Sequence, residues 1–219
     1  MVTVGTANLM LFITPTHQKN NFKNMKALRF FILLTFLFTQ SSCFAQADFF
    51  EKLSDSALSL TADIVNYDPT YFSIKYPNGD LPATKGVCSD VVIRSYRKLG
   101  IDLQKEVHQD IKSNFTKYPK IWGLKKPDTN IDHRRVPNLI VFFNRFGKTK
   151  AITKNASDYL PGDIVCWNLG GSITHIGLVV NKKSADEKRY LIVHNIGNGQ
   201  VIADCLFEYK IIGHYQYQK

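Results

Sequence analysis

The sequence predicts an α+β domain, on three observations. Segments of helical period gather between residues 49 and 147, short apolar β-type runs fill residues 164 to 217, and no internal repeat or low-complexity linker divides them. Helices first and an antiparallel sheet second is the order expected when one face of a sheet is covered by helices.

The first helix is expected over 49–65, with Phe50, Leu53, Leu58 and Ile64 on one face, ending before Asn66-Tyr67-Asp68-Pro69. A loop containing Pro77-Asn78-Gly79-Asp80 leads to Gly86. From Cys88 the residues Val92, Tyr96 and Leu99 keep helical spacing, and Gly100 stops the run. Asp102 caps the next helix, whose Leu103, Val107, Ile111 and Phe115 form one face that packs against the Cys88 helix. Residues 118 to 135 show neither period. Pro137 opens a further helix with Leu139, Ile140, Phe142, Phe143 and Phe146 inward and Gly147 as its stop. The strands are expected at 164–167, 174–181, 189–195, 201–202 and 211–217.

The 219 residues do not all belong to this domain. From Met25 the order is Lys26 and Arg29, an apolar run from Phe30 to Phe38, then Ala45-Gln46-Ala47, the pattern of a cleaved secretory signal. Residues 1–47 are therefore read as signal plus an over-long start, with the true start near Met25, and 48–219 as one domain with no transmembrane helix. That places the domain in the periplasm; Cys43 offers the alternative of a lipid anchor. The first 47 residues hold four of the 28 basic residues and none of the 18 acidic ones, so the mature part has 24 against 18, a net charge of +6. A modest basic surplus suits anionic envelope polymers. No Arg/Lys stretch with interleaved aromatics indicates nucleic acid.

Cys88, Cys166 and Cys205 remain after cleavage, an odd number, so at least one thiol is unpaired in an oxidising compartment; Cys88 is the choice. Cys166 and Cys205 either pair or serve as small core residues. A cysteine at a helix N-terminus meets partial positive charge and free N–H groups, which favour the thiolate that attacks carbonyls and can hold an oxyanion. If strands 174–181 and 189–195 form a hairpin centred near residue 185, His175 faces His194 or Asn195. His175 is then the general base for Cys88, His194 orients its ring, and Asn195 is the reserve for that role.

In order, Gly86-Val87-Cys88-Ser89-Asp90, Leu160-Pro161-Gly162-Asp163-Ile164-Val165-Cys166-Trp167, Thr174-His175-Ile176-Gly177-Leu178-Val179 and Ile192-Val193-His194-Asn195 resemble the cysteine helix, Pro-Gly-Asp strand, His-x-Gly strand and third-residue strand of NlpC-type papain-like cell-wall peptidases. The whole mature chain, with Asn130 to Asn138, looks like an exported bacterial branch of that superfamily, a family of unknown function. The resemblance implies a papain-like fold, no cofactor, and a Cys88, His175, His194 triad that cuts amide bonds in peptidoglycan stem peptides. The chain departs from Asp-Cys-Ser-Gly, having Val87 before the cysteine and Asp90 in place of the glycine, and it carries a long insertion before the sheet.

That insertion suggests a substrate wall. Stem peptides carry free carboxylates, which Arg134 or Arg135 could hold bidentately, with Asp132 and His133 beside them or bracing the loop. With Asn195, these form the expected substrate-facing set. Trp122 and Trp167 are read as core, with stacking on substrate as the alternative. A metal site from His175, His194, His133 and Cys88 is a rival, although no close-spaced ligand pair supports it. A peptidoglycan-binding module without catalysis and a thioester-forming acyl or amide transferase are the other rivals.

Overall fold

The computed structural model describes Gln46 and residues 48–219. The export signal, Met25 and Cys43 lie outside these residues.

Among the described residues there are four α-helices and a six-stranded antiparallel sheet. Helix α1 spans 48–59 and tightens into a 3-10 turn at Leu60–Ala62. Phe50, Leu53, Ala57 and Leu60 are its buried residues, three or four apart on one face. The expected helix to residue 65 is thus cut short. Ile64 points to solvent, 86% exposed, and Val65 is the buried residue instead.

Two short strands, β1 (Asn66–Tyr67) and β2 (Lys85–Gly86), pair in parallel where the sequence had indicated only turns. β2 runs through Val87 directly into α2 (Cys88–Lys98). α3 (Leu103–Ser113) starts at Asp102, whose side chain accepts from the Lys105 N–H, and buries Leu103, Val107 and Ile111 as the four-residue spacing predicts. Phe115 falls beyond it, in a 3-10 turn. α4 (Val136–Phe146) has Pro137 in its first turn and buries Leu139, Phe142 and Phe143. Phe146 is half-exposed, its ring 5.0 Å from that of Phe142.

The sheet runs β3 (Lys148–Thr149), β8 (Lys210–Gln216), β4 (Ile164–Gly170), β5 (Ile173–Lys183), β6 (Tyr190–His194), β7 (Val201–Ala203) in spatial order. Alternation along the strands sorts two layers. Ile164, Cys166, Ile176, Leu178 and Val180 join the helices in the main core. Val165, Trp167, Val179 and Ile192 turn the other way, onto Tyr159, Cys205 and Leu206. Each such aliphatic contributes about 2 kcal/mol by leaving water.

The Pro161-Gly162-Asp163 turn has a structural task. Gly162 has φ +83°, and a Cβ there would lie 2.6 Å from the Phe50 carbonyl oxygen, so α1 can cross the turn only over a glycine. The buried Asp163 carboxylate accepts from the Leu160 N–H at 2.9 Å, His214 Nε2 at 2.6 Å and Gln216 Nε2 at 2.8 Å, and so ties the start of β4 to β8.

Candidate active site

Cys88 is the first helical residue of α2, because extended Val87 ends β2 and the helix begins at once. Val87 has no side-chain acceptor to cap the helix. Asp90, three residues on, supplies the reciprocal half of a capping box by accepting from the Val87 N–H at 2.7 Å. The carboxylate that replaces the expected glycine therefore fixes the turn carrying the thiol.

The other side of that carboxylate meets Arg134, with Nε 3.1 Å from Asp90 Oδ1; both side chains are almost wholly buried. Arg134 also donates to the Asp68 and Thr70 carbonyls, and its own carbonyl accepts from Ser89 Oγ at 2.8 Å. The expectation that Arg134 could clamp a substrate carboxylate is corrected here: its donors are spent on the fold.

Burial pushes the Cys88 thiol up to about 11, against the opposing pull of the N–H groups of Ile176, Ser89 and Cys88 itself, with Asp90 adding to the rise. The sulfur thus rests against β5 at the residue that follows His175. No hydrogen bond joins it to the imidazole, since Ile176 faces α2 and His175 is turned toward Trp167, ring centroids 5.8 Å apart.

His175 and His194 do come together. His175 Nε2 lies 2.8 Å from His194 Nδ1, and both rings are buried. The hairpin register pairs Leu178 with Val193 and Val179 with Ile192, one residue from the expected sum, so its continuation sets Gly177 opposite His194 and His175 diagonally across on the same face. Gly177 makes the approach possible: a Cβ there would meet Ile192 Cγ2 at 2.7 Å and His194 Cβ at 3.2 Å. Burial, then the neighbouring His194, holds His175 down at about 3, and burial lowers His194 as well. His194 Nε2 in turn lies 3.9 Å from Cys205 Sγ. Among the described residues, His175 Nδ1 has no protein partner.

Asn195 does not reach His175. It is buried, donates to the Gly86 carbonyl at 3.3 Å and accepts from the Gly197 N–H, which anchors the end of β6 beside the strand preceding Cys88. Asp132 is buried with its Oδ2 between His108 Nδ1 at 3.0 Å and the Asp128 N–H at 2.8 Å. His133 is buried with Nδ1 unpartnered and held down to about 3 by desolvation and by Arg134, Arg97 and His108. Asp132 and His133 brace the loop and do not line the cavity. Arg135 does.

That cavity, about 420 Å³, reaches Cys88 between Val87 and Thr174 and is walled by Tyr67, Trp122 and Arg135. It falls within the size range of small-ligand sites. Tyr67 was not singled out by sequence, and Trp122 was read as core with stacking on substrate as the alternative. Tyr67 sits in an apparent turn, and a single tryptophan reads as core.

Cys88, Cys166 and Cys205 are all free. Cys166 belongs to the main core and Cys205 to the second layer. Among the described residues, no group of three or more His, Cys, Asp or Glu side chains is placed to hold a metal ion, and no helix is long and apolar enough to cross a membrane.

The fold and this thiol–histidine arrangement define a mixed α+β domain with a buried cysteine at a helix start. Residues 54–217 match the family described as domain of unknown function DUF1287, and the chain belongs to that family. It is 49% identical over 165 residues to the uncharacterized protein YijF of Escherichia coli (strain K12), covering 75% of this chain and 80% of that one. No solved structure matches.

Proposed function

We propose that the domain is an exported, papain-like cysteine peptidase or amidase of NlpC type that cleaves amide bonds in peptidoglycan stem peptides. The observation that carries the reading is the His175 Nε2 to His194 Nδ1 contact of 2.8 Å, one residue along β5 from the N–H that meets the Cys88 sulfur. It leaves Nδ1 of His175 as the base. When His175 donates Nε2–H to His194, its Nδ1 is an unprotonated acceptor.

In this mechanism Cys88 gives its proton to His175 Nδ1 as its sulfur bonds to the substrate carbonyl carbon. N–H groups in the first turn of α2 hold the oxyanion. The imidazolium returns the proton to the leaving amine, the C–N bond breaks, and water then hydrolyses the thioester with His175 as base. Burial opposes each charge taken singly, whereas a thiolate and an imidazolium formed together offset part of both costs. The mechanism requires the sulfur to swing from the Ile176 N–H to His175, a contact of the kind that tightens on substrate binding.

The test is mass spectrometry of muropeptides before and after incubation with the protein. Two products whose masses sum to substrate plus water, formed by the parent and not by Cys88→Ala, are expected. Identical profiles from the two proteins would sink the reading.

A further inference from the structure

Two arginines border the cavity, and only one is chemically available. Arg134 is committed to Asp90 and to two carbonyls. Arg135, the residue before α4, makes no salt bridge or side-chain hydrogen bond to any described residue. Its guanidinium carbon sits 4.1 Å from the centroid of the Trp122 ring, half-buried in the cavity wall. The two acids whose charges act on it are occupied elsewhere: Asp132 by His108 and the Asp128 N–H, and Asp128 by Tyr71 and the Asn130 N–H. Among the described residues, no Asp or Glu lines the cavity.

A planar guanidinium over an indole ring keeps its cation–π contact while its N–H groups remain free to donate. A planar carboxylate matches those N–H groups through two parallel hydrogen bonds. Burial disfavours the charge of Arg135, so an anion arriving there relieves a cost the fold otherwise carries.

We infer that Arg135, backed by Trp122, is a carboxylate-binding site in the Cys88 cavity, and that the ligand processed there carries a free carboxylate beside the bond presented to Cys88. This deepens the hydrolase reading and rests on it for the role of Cys88, but the carboxylate site can be measured without turnover.

Iodoacetate and iodoacetamide deliver the same carbon to the same sulfur and differ in the carboxylate. The ratio of their rates at Cys88, read by peptide mass spectrometry, is expected to fall roughly five- to tenfold in Arg135→Gln, the size of one charge-assisted contact, and less in Arg135→Lys, which keeps charge but loses the fork. An unchanged ratio in Arg135→Gln overturns the inference while leaving a reactive Cys88, and so the hydrolase reading, intact. Should neither reagent label Cys88, the hydrolase reading fails and a second readout decides the site. Tryptophan fluorescence of the parent should saturate with N-acetylalanine but not with N-acetylalaninamide, and Arg135→Gln should abolish the response. Equal responses to acid and amide, or to inorganic phosphate at the same ionic strength, or no saturation with either, overturn the carboxylate assignment.

Discussion

Asp90 and Arg134 form a buried ion pair directly beneath the turn that presents Cys88, and the same carboxylate bonds the Val87 N–H in front of that turn. The pair links α2 to the 3-10 turn Asp132–Arg134, so the wall of the cavity and its floor are fixed to one another through two side chains.

Removing either partner leaves an uncompensated charge out of water. Asp90→Ala and Arg134→Met are each expected to cost about 3–5 kcal/mol, whereas the double change should cost less than the sum because no charge is stranded. Urea denaturation of the four proteins of the cycle checks this. Additive losses would show that the pair is not coupled.

Gly177 makes a sharper claim on the hairpin. A methyl group there meets Ile192 Cγ2 at 2.7 Å and the Val193 carbonyl oxygen at 3.0 Å, and the carbonyl belongs to a paired strand that cannot give way cheaply. Gly177→Ala is expected to destabilise by about 1–3 kcal/mol and to displace His194, lowering any turnover further than stability alone explains. A variant with parental melting and parental activity would refute the role assigned to this glycine.

Much of the frame was legible in the sequence, for physical reasons visible at single residues. Asp102, Pro137 and the Leu103-Val107-Ile111 spacing are local signals, and the helices they mark are present, although the first ends before Phe115 and the second leaves Phe146 half-exposed. The unbroken apolar run Ile164-Val165-Cys166-Trp167 marked a strand, and all four side chains are buried. Hairpin arithmetic brought His175 to His194 or Asn195; the observed pairing, one residue beyond the expected sum, decides between them, because a one-residue shift exchanges the two faces and leaves His194 on that of His175. Long-range partners were not legible. Nothing near Asn66-Tyr67 announces that it pairs with Lys85-Gly86, and nothing in Arg134-Arg135 tells which guanidinium folds under Asp90 and which reaches Trp122.

Stability should depend on pH through the buried histidines. His133 and His175 are both lowered to about 3 from an ordinary value near 6.5, and His194 is lowered too. With the folded value below the unfolded one, the unfolded chain binds more protons between pH 6.5 and 3. Their stabilising neutrality is complete above 6.5 and is lost as pH falls toward 3. Each contributes a slope of up to about 1.4 kcal/mol per pH unit in that window. Thermal melts at steps from pH 7 to 4 should therefore fall steeply, and His133→Gln should flatten the fall without touching the cavity. A melting temperature independent of pH across that range would contradict the burial of these rings.

The mechanism also fixes which nitrogen of His194 carries the proton. For His175 Nδ1 to accept the Cys88 proton, His175 must donate through Nε2 to His194 Nδ1, which places the His194 proton on Nε2, the nitrogen 3.9 Å from Cys205 Sγ. Burial, with Glu208 and Asp204 nearby, pushes the Cys205 thiol up to about 12, so the sulfur stays neutral and serves as a weak acceptor. His194 needs only to offer an acceptor to His175, which Asn or Gln can also do. Cys88 alkylation at pH 7 is expected to fall by about tenfold or more in His175→Ala and His194→Ala and by less in His194→Asn or His194→Gln, the scale of one general-base contribution reduced by misorientation. Cys205→Ser, which keeps an acceptor, should stay near the parent, and Cys205→Val should shift the pH profile of alkylation upward by freeing His194 to adopt the other tautomer. Equal losses for His194→Ala and His194→Gln would show that the ring packs the second layer of the core and does not orient His175.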